Sequence, residues 1–124
     1  MKKAEEDFAA AQALARQRKN PLPNVVCFHA QQCVEKYLKA FLVYHRHPFS
    51  KTHDLIELLE LSFATATGSV PLLQKLEADL RLLNLYSVAT RYPTATEVTV
   101  DDAREAKLAL RRVRRAVRGL LGIK

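Results

Sequence analysis

Four side chains of one segment, His29, Gln32, Lys36 and Lys39, follow one another at spacings of three, four and three. If the segment is helical, they form a single polar stripe. A solvated face accounts for many stripes of this kind. The adjacent Gln31 and Gln32 with His29, where plain Glu and Lys would serve a surface, leave an interface or a functional face as the competing reading. Glu35 and Lys39 stand four apart in the favourable order for an ion pair. Further along, His53 occupies a Thr-His-Asp-Leu run. At a helix start the positive end disfavours a charged ring, so a neutral histidine that fixes how the helix begins is the simplest role, with ligand contact as the alternative. Arg91 carries a guanidinium that can bind two oxygens of a phosphate at once. Its simplest role is to tie down the end of helix four or to pair with a carboxylate; as an anion contact it ranks first among the candidates, with Lys36 and Lys39 next.

Other chemistries find less to work with. Cys27, His29 and Cys33 lie close in sequence, but Cys27 points elsewhere on a helix, and a structural zinc takes four well-spaced ligands. No metal site and no cofactor is expected. The two cysteines are about 9 Å apart along a helix axis, too far for a relaxed disulfide, and read as free, buried thiols. No phosphate-cradling glycine loop, serine elbow or paired acidic cluster supports an ATPase or a hydrolase.

The elements that must position these groups are helices. The chain of 124 residues fits one domain, 1–124, with 48% hydrophobic and 27% charged residues and only three glycines. Helix one is expected from about Ala4 to Arg18, with Phe8, Ala11, Leu14 and Ala15 on one face and Asn20-Pro21 as its stop. Helix two carries Val26, Ala30, Cys33, Val34, Tyr37, Leu38, Phe41 and Leu42 at three-and-four spacing, with Asn24 as its cap and Pro48 at its end. Helix three begins near Thr52, whose hydroxyl can cap it. Its inward residues are Leu55, Leu58, Leu59 and either Phe63 or Ala64. Helix four opens at Ser69 and Pro71 and carries Leu72, Leu73, Leu76, Leu80, Leu83 and Tyr86. The Thr94–Val100 stretch is a connection, and Thr99 with Asp102 resembles a capping box for the last helix. The expected fold is all-α, an antiparallel up-and-down bundle of four to five helices.

Net charge is +7, and residues 101–124 hold eight Lys/Arg against three Asp/Glu. At about 100° per residue, Arg104, Lys107, Arg111, Arg114, Arg115 and Arg118 fall within an arc of about 100°. Arginine stems shield apolar surface and suit a helix C-terminus, which explains the last two or three. Six like charges at this spacing repel, and an acidic partner or an RNA backbone would relieve them. No apolar run approaches the roughly 20 residues of a membrane span, and no signal-like segment opens the chain. A cytoplasmic protein without membrane association is expected.

Three segments in order, Phe28–Ala40 with its Gln31, Gln32, Glu35, Lys36 and Lys39, then Lys51-Thr52-His53-Asp54-Leu55, then Ala89-Thr90-Arg91-Tyr92-Pro93, resemble the HEPN family, the higher eukaryotes and prokaryotes nucleotide-binding domain. The resemblance implies a helical bundle, usually dimeric, often paired with a minimal nucleotidyltransferase in a toxin–antitoxin or two-component arrangement. With this resemblance and the charge placement together, His29, Gln32, Lys36, Lys39, His53 and Arg91 are expected near a nucleotide. Ribonuclease relatives use an Arg followed, after four to six residues, by a His late in the bundle. Here no histidine follows Arg91; the formal match is Arg46 with His53, outside the usual position. The expectation is therefore an accessory or nucleotide-binding homodimer. The alternatives are a metal-independent RNase using Arg46 and His53, or an RNA-binding module using the basic last helix.

Overall fold

The computed structural model describes residues 2–15, 22–86 and 98–123. Among these residues there are six α-helices: α1 Lys2–Ala15, α2 Pro23–Tyr44, α3 Leu55–Thr65, α4 Val70–Gln74, α5 Glu77–Asn84 and α6 Val100–Leu120. A single 3₁₀ turn, Thr67–Ser69, precedes α4, and no strand occurs among the described residues. The all-α bundle expected from the spacing is what the chain forms. Arg91, the Ala89–Pro93 segment, the 94–97 part of the connection, Asn20-Pro21 and the C-terminal end of helix one expected up to Arg18 lie outside the described residues.

The central helix is α2, which packs against α1, α3, α5 and α6. All eight residues of its apolar stripe are buried, and Cys27 joins them. The opposite wall comes from Ala103, Ala106, Ala109, Leu110, Val113 and Val117 of α6. From α3, Leu55, Leu58 and Leu59 close one side, with Phe63 partly buried and Ala64 exposed. Burying apolar area is the main favourable term, and here it is concentrated on two long helices.

Local chemistry decides where the helices start and stop. Pro23 supplies the first turn of α2, where its missing N–H and fixed φ are no handicap; Leu22, not Asn24, holds the cap position. At the other end Arg46 adopts φ 58°. Its N–H donates to the Val43 carbonyl at 2.9 Å, and that of His47 to Leu42 at 2.9 Å, which is the Schellman arrangement. The end of α6 repeats it with Gly122 at φ 73°, Gly122 bonding Gly119 and Ile123 bonding Arg118. Arg46 thus stands where a glycine is usual, because two main-chain bonds hold it there.

The start of α3 differs from expectation. Asp54, not Thr52, is the cap, accepting from the amides of Ile56 and Glu57. Thr52 supports it, its hydroxyl accepting from Asp54 N and donating to Glu57. Asn84 from α5 selects this choice: its amide donates to Asp54 Oδ1 at 3.0 Å while its carbonyl accepts from Leu55 N. The expected fourth helix is split at Lys75-Leu76. There Leu76 N bonds Leu73 O, a three-residue step that keeps both leucines on the core side.

At α6, Thr99 and Asp102 form a capping box, Thr99 Oγ1 accepting at 3.0 Å and Asp102 Oδ2 accepting from Thr99 N at 2.9 Å. Thr99→Ala should cost about 1 kcal/mol in urea unfolding. Thr99→Ser should be nearly silent, and equal losses in the two variants would contradict the box.

Candidate functional site

The polar side of α2 is not a free stripe; it divides into two clusters that flank the apolar face. One faces α1. Lys36 Nζ donates to Asp7 Oδ2, and His29 Nδ1 lies 3.3 Å from Asp7 Oδ1. The other is formed by Gln31, Glu35 and Lys39, spaced by four and four, and meets the segment leading into α3. Around the helix these three lie about 40° apart in succession, beside Leu42 at the core boundary. The chain running into α3 therefore covers them.

Glu35 is the hub. Only 4% exposed, its carboxylate needs donors to remain charged. Lys39 Nζ supplies one at 3.1 Å to Oε2, while His53 Nδ1 at 2.9 Å and Gln31 Nε2 at 3.3 Å supply two to Oε1. Gln31, wholly buried, also donates to the His53 carbonyl and accepts from Gln32 Nε2 at 2.7 Å. Lys39 lies over the Phe49 ring at 5.9 Å. Because a carboxylate only accepts, the His53 nitrogen facing it carries the proton. In the neutral ring Nε2 then keeps its lone pair, on a side chain 57% exposed.

Chemically, this is an exposed imidazole whose tautomer is set by a buried carboxylate, with an ammonium beside it. Such a ring can accept a proton or a hydrogen bond from a ligand. It is not an anion hole by charge alone, since Glu35 balances Lys39 and Asp7 balances Lys36. Glu35 and Gln31 are the residues that sequence reasoning under-read. The signal was present in the four-residue spacing of Gln31, Glu35 and Lys39, but nothing local says that Glu35 is covered. The partly exposed His29, Gln32, Lys36 and Lys39 flank this hub on α2.

The basic ridge of α6 is likewise divided. Arg114 binds Glu5 of α1 through Nε and Nη2 at 3.1 and 2.8 Å, bonds Tyr37 OH at 3.0 Å, and covers Phe8 at 4.1 Å. Arg118 joins the same carboxylate at 3.1 Å. Arg104 pairs with Asp101 in an exposed contact. Lys107, Arg111 and Arg115 have no carboxylate partner among the described residues.

The hydrogen bond from Arg114 holds the Glu5 carboxyl below its ordinary range. A carboxylate lowered on folding stabilises the fold above its unfolded pKa, and that contribution fades as pH falls through the folded value. Glu5→Gln should therefore cost about 1 kcal/mol at neutral pH, allowing for a side chain one-third in water. The deficit should vanish below the carboxylate range. A deficit that persists in acid would mean that packing, and not charge, is what Glu5 contributes.

Both cysteines are buried and free. Cys33 Sγ donates to the Ala4 carbonyl at 3.1 Å, and burial pushes the Cys27 thiol up to about 12. Neither is a poised nucleophile. No group of three metal-ligating side chains gathers among the described residues. Among the described residues, no helix is long and apolar enough to cross a membrane.

The chain thus forms a helical domain built on one central helix, with a histidine anchored by a buried carboxylate at the edge of its polar cluster. The HEPN domain family matches residues 1–120, and the chain belongs to that family, a domain class of the nucleotide-binding and ribonuclease type. No curated protein and no solved structure matches the chain.

Proposed function

We propose that this HEPN-domain protein is a nucleotide-binding accessory subunit, working as a cytoplasmic homodimer beside a minimal nucleotidyltransferase in a toxin–antitoxin-type pair. The nucleotide end is the cluster of His53, Lys39 and Gln32 around Glu35, flanked by His29 and Lys36; Arg91, outside the described residues, is the phosphate contact that the sequence suggests. The single observation that carries this is the exposed His53 ring held by buried Glu35 next to Lys39. A ligand hydroxyl or amino group can donate to Nε2, while a phosphate draws Lys39 from Glu35. Calorimetric titration of ATP into the full chain should give a saturable heat that His53→Ala weakens about tenfold, the worth of one well-placed hydrogen bond. Absence of heat, together with no complex on co-expression with a nucleotidyltransferase, would remove the proposal.

A second reading rests on the same tautomer. With Nε2 free to take a proton from a 2′-hydroxyl, His53 could serve as general base of a metal-independent RNase, with Arg46 facing the phosphorane charge. It requires RNA cleavage in chelator that disappears in His53→Ala. Intact RNA after long incubation excludes it.

A further inference from the structure

α4 and α6 leave an open groove of about 380 Å³ between them, lined by Leu72, Leu76 and Leu108 and by Arg111, Arg112 and Arg115. Its apolar residues are not all closed off: Leu72 is 38% and Leu108 40% exposed, although their neighbours Leu73 and Ala109 are wholly buried. Two leucines on facing walls of one groove are an apolar surface that water does not solvate well. Arg112 is already committed, binding Asp79 of α5 through Nε at 2.9 Å and Nη2 at 2.8 Å, and so it fixes one wall. Arg111 and Arg115 are exposed and have neither a carboxylate nor a hydrogen-bond partner among the described residues.

We propose that this groove seats an acidic, amphipathic helix of a partner protein. The two unpaired arginines stand four apart on α6, one turn, or about 6 Å of rise. Carboxylates four apart on a second helix have the same repeat. A helix that lays aliphatic side chains on Leu72 and Leu108 therefore brings its flanking Asp or Glu residues opposite Arg111 and Arg115. The match in charge selects the partner, and burial of the leucines supplies the attraction. A polynucleotide would satisfy the arginines and leave both leucines wet. The groove is separate from the Glu35–His53 cluster, so this proposal and the nucleotide reading can fail independently.

The test is fluorescence anisotropy with the full chain and a labelled helical peptide carrying leucines four apart flanked by glutamates four apart. Its twin carries lysine at every glutamate. The glutamate peptide should bind and the lysine twin should bind at least about tenfold more weakly. Arg111→Glu with Arg115→Glu should weaken the glutamate peptide about tenfold or more, and Leu108→Ser should weaken it too. His53→Ala should leave it unchanged. Unaltered thermal melts show that the exposed substitutions leave the fold intact. Equal binding of the two peptides, or indifference to the double arginine variant, would overturn the proposal. So would a uridylate decamer or oleate that binds with the arginine dependence the peptide lacks. Loss of self-association in the double variant, seen by sedimentation, would instead make the groove a contact between copies of this chain and overturn it equally.

Discussion

Phe41→Ala is expected to lower the unfolding free energy by about 3–5 kcal/mol. Phe41 is 1% exposed and sits on the helix that touches four others. Removing its ring leaves a void that no single neighbour can move to fill. The cost has two parts, the lost transfer of the ring from water and the lost contacts of the cavity lining. In a domain of this size, that should lower Tm by more than about 10 °C. Urea unfolding should show the midpoint falling with the slope unchanged. Tyr44→Ala, three residues on but 63% exposed, should stay within about 0.5 kcal/mol. Similar losses at the two positions would show that α2 is not the centre of the core.

Glu35→Ala should cost about 2–3 kcal/mol, and Glu35→Gln closer to 1 kcal/mol. Alanine removes the acceptor for three donors, from Gln31, Lys39 and His53, and leaves Gln31 buried with only the His53 carbonyl to accept its amide protons. Lys39, a quarter exposed, can turn to water, which keeps the loss below that of a fully sealed ion pair. Glutamine preserves the shape, and its amide can donate as well as accept. The ring of His53 reads the difference. In the native protein ¹⁵N spectra should show the proton on Nδ1, whereas Glu35→Gln should populate the Nε2–H tautomer as well. An unchanged tautomer in Glu35→Gln would mean that the carboxylate does not set the ring.

How far these features could be foreseen depends on how local their causes are. The apolar faces of α2 and α6 were legible because a buried face repeats every three or four residues whatever covers it. Thr99 with Asp102 was legible because a capping box needs only a spacing of three. The start of α3 was not, since Thr52 and Asp54 are both good capping residues and Asn84, thirty positions away, decides between them. The split between α4 and α5 was hidden for a similar reason: its leucines keep a helical spacing through the break. Glu35 was visible as the partner of Lys39, yet its burial comes from the chain entering α3. A helical wheel gathers six cations on α6 but cannot show that Glu5, at the other end of the chain, engages two of them.

That attachment makes the seating of the first helix responsive to ionic strength. Among its described side chains only Ala4 and Ala11 are fully buried, while Glu5 grips α6 and Asp7 grips α2. Added salt screens the solvent-facing part of these contacts, though less than it would open surface pairs, because Glu5 is a third exposed and Asp7 only 15%. The N-terminal helix is thus clasped both by charge and by Ala4, Ala11 and Phe8 against the frame, and brine should ease only the first of these two holds.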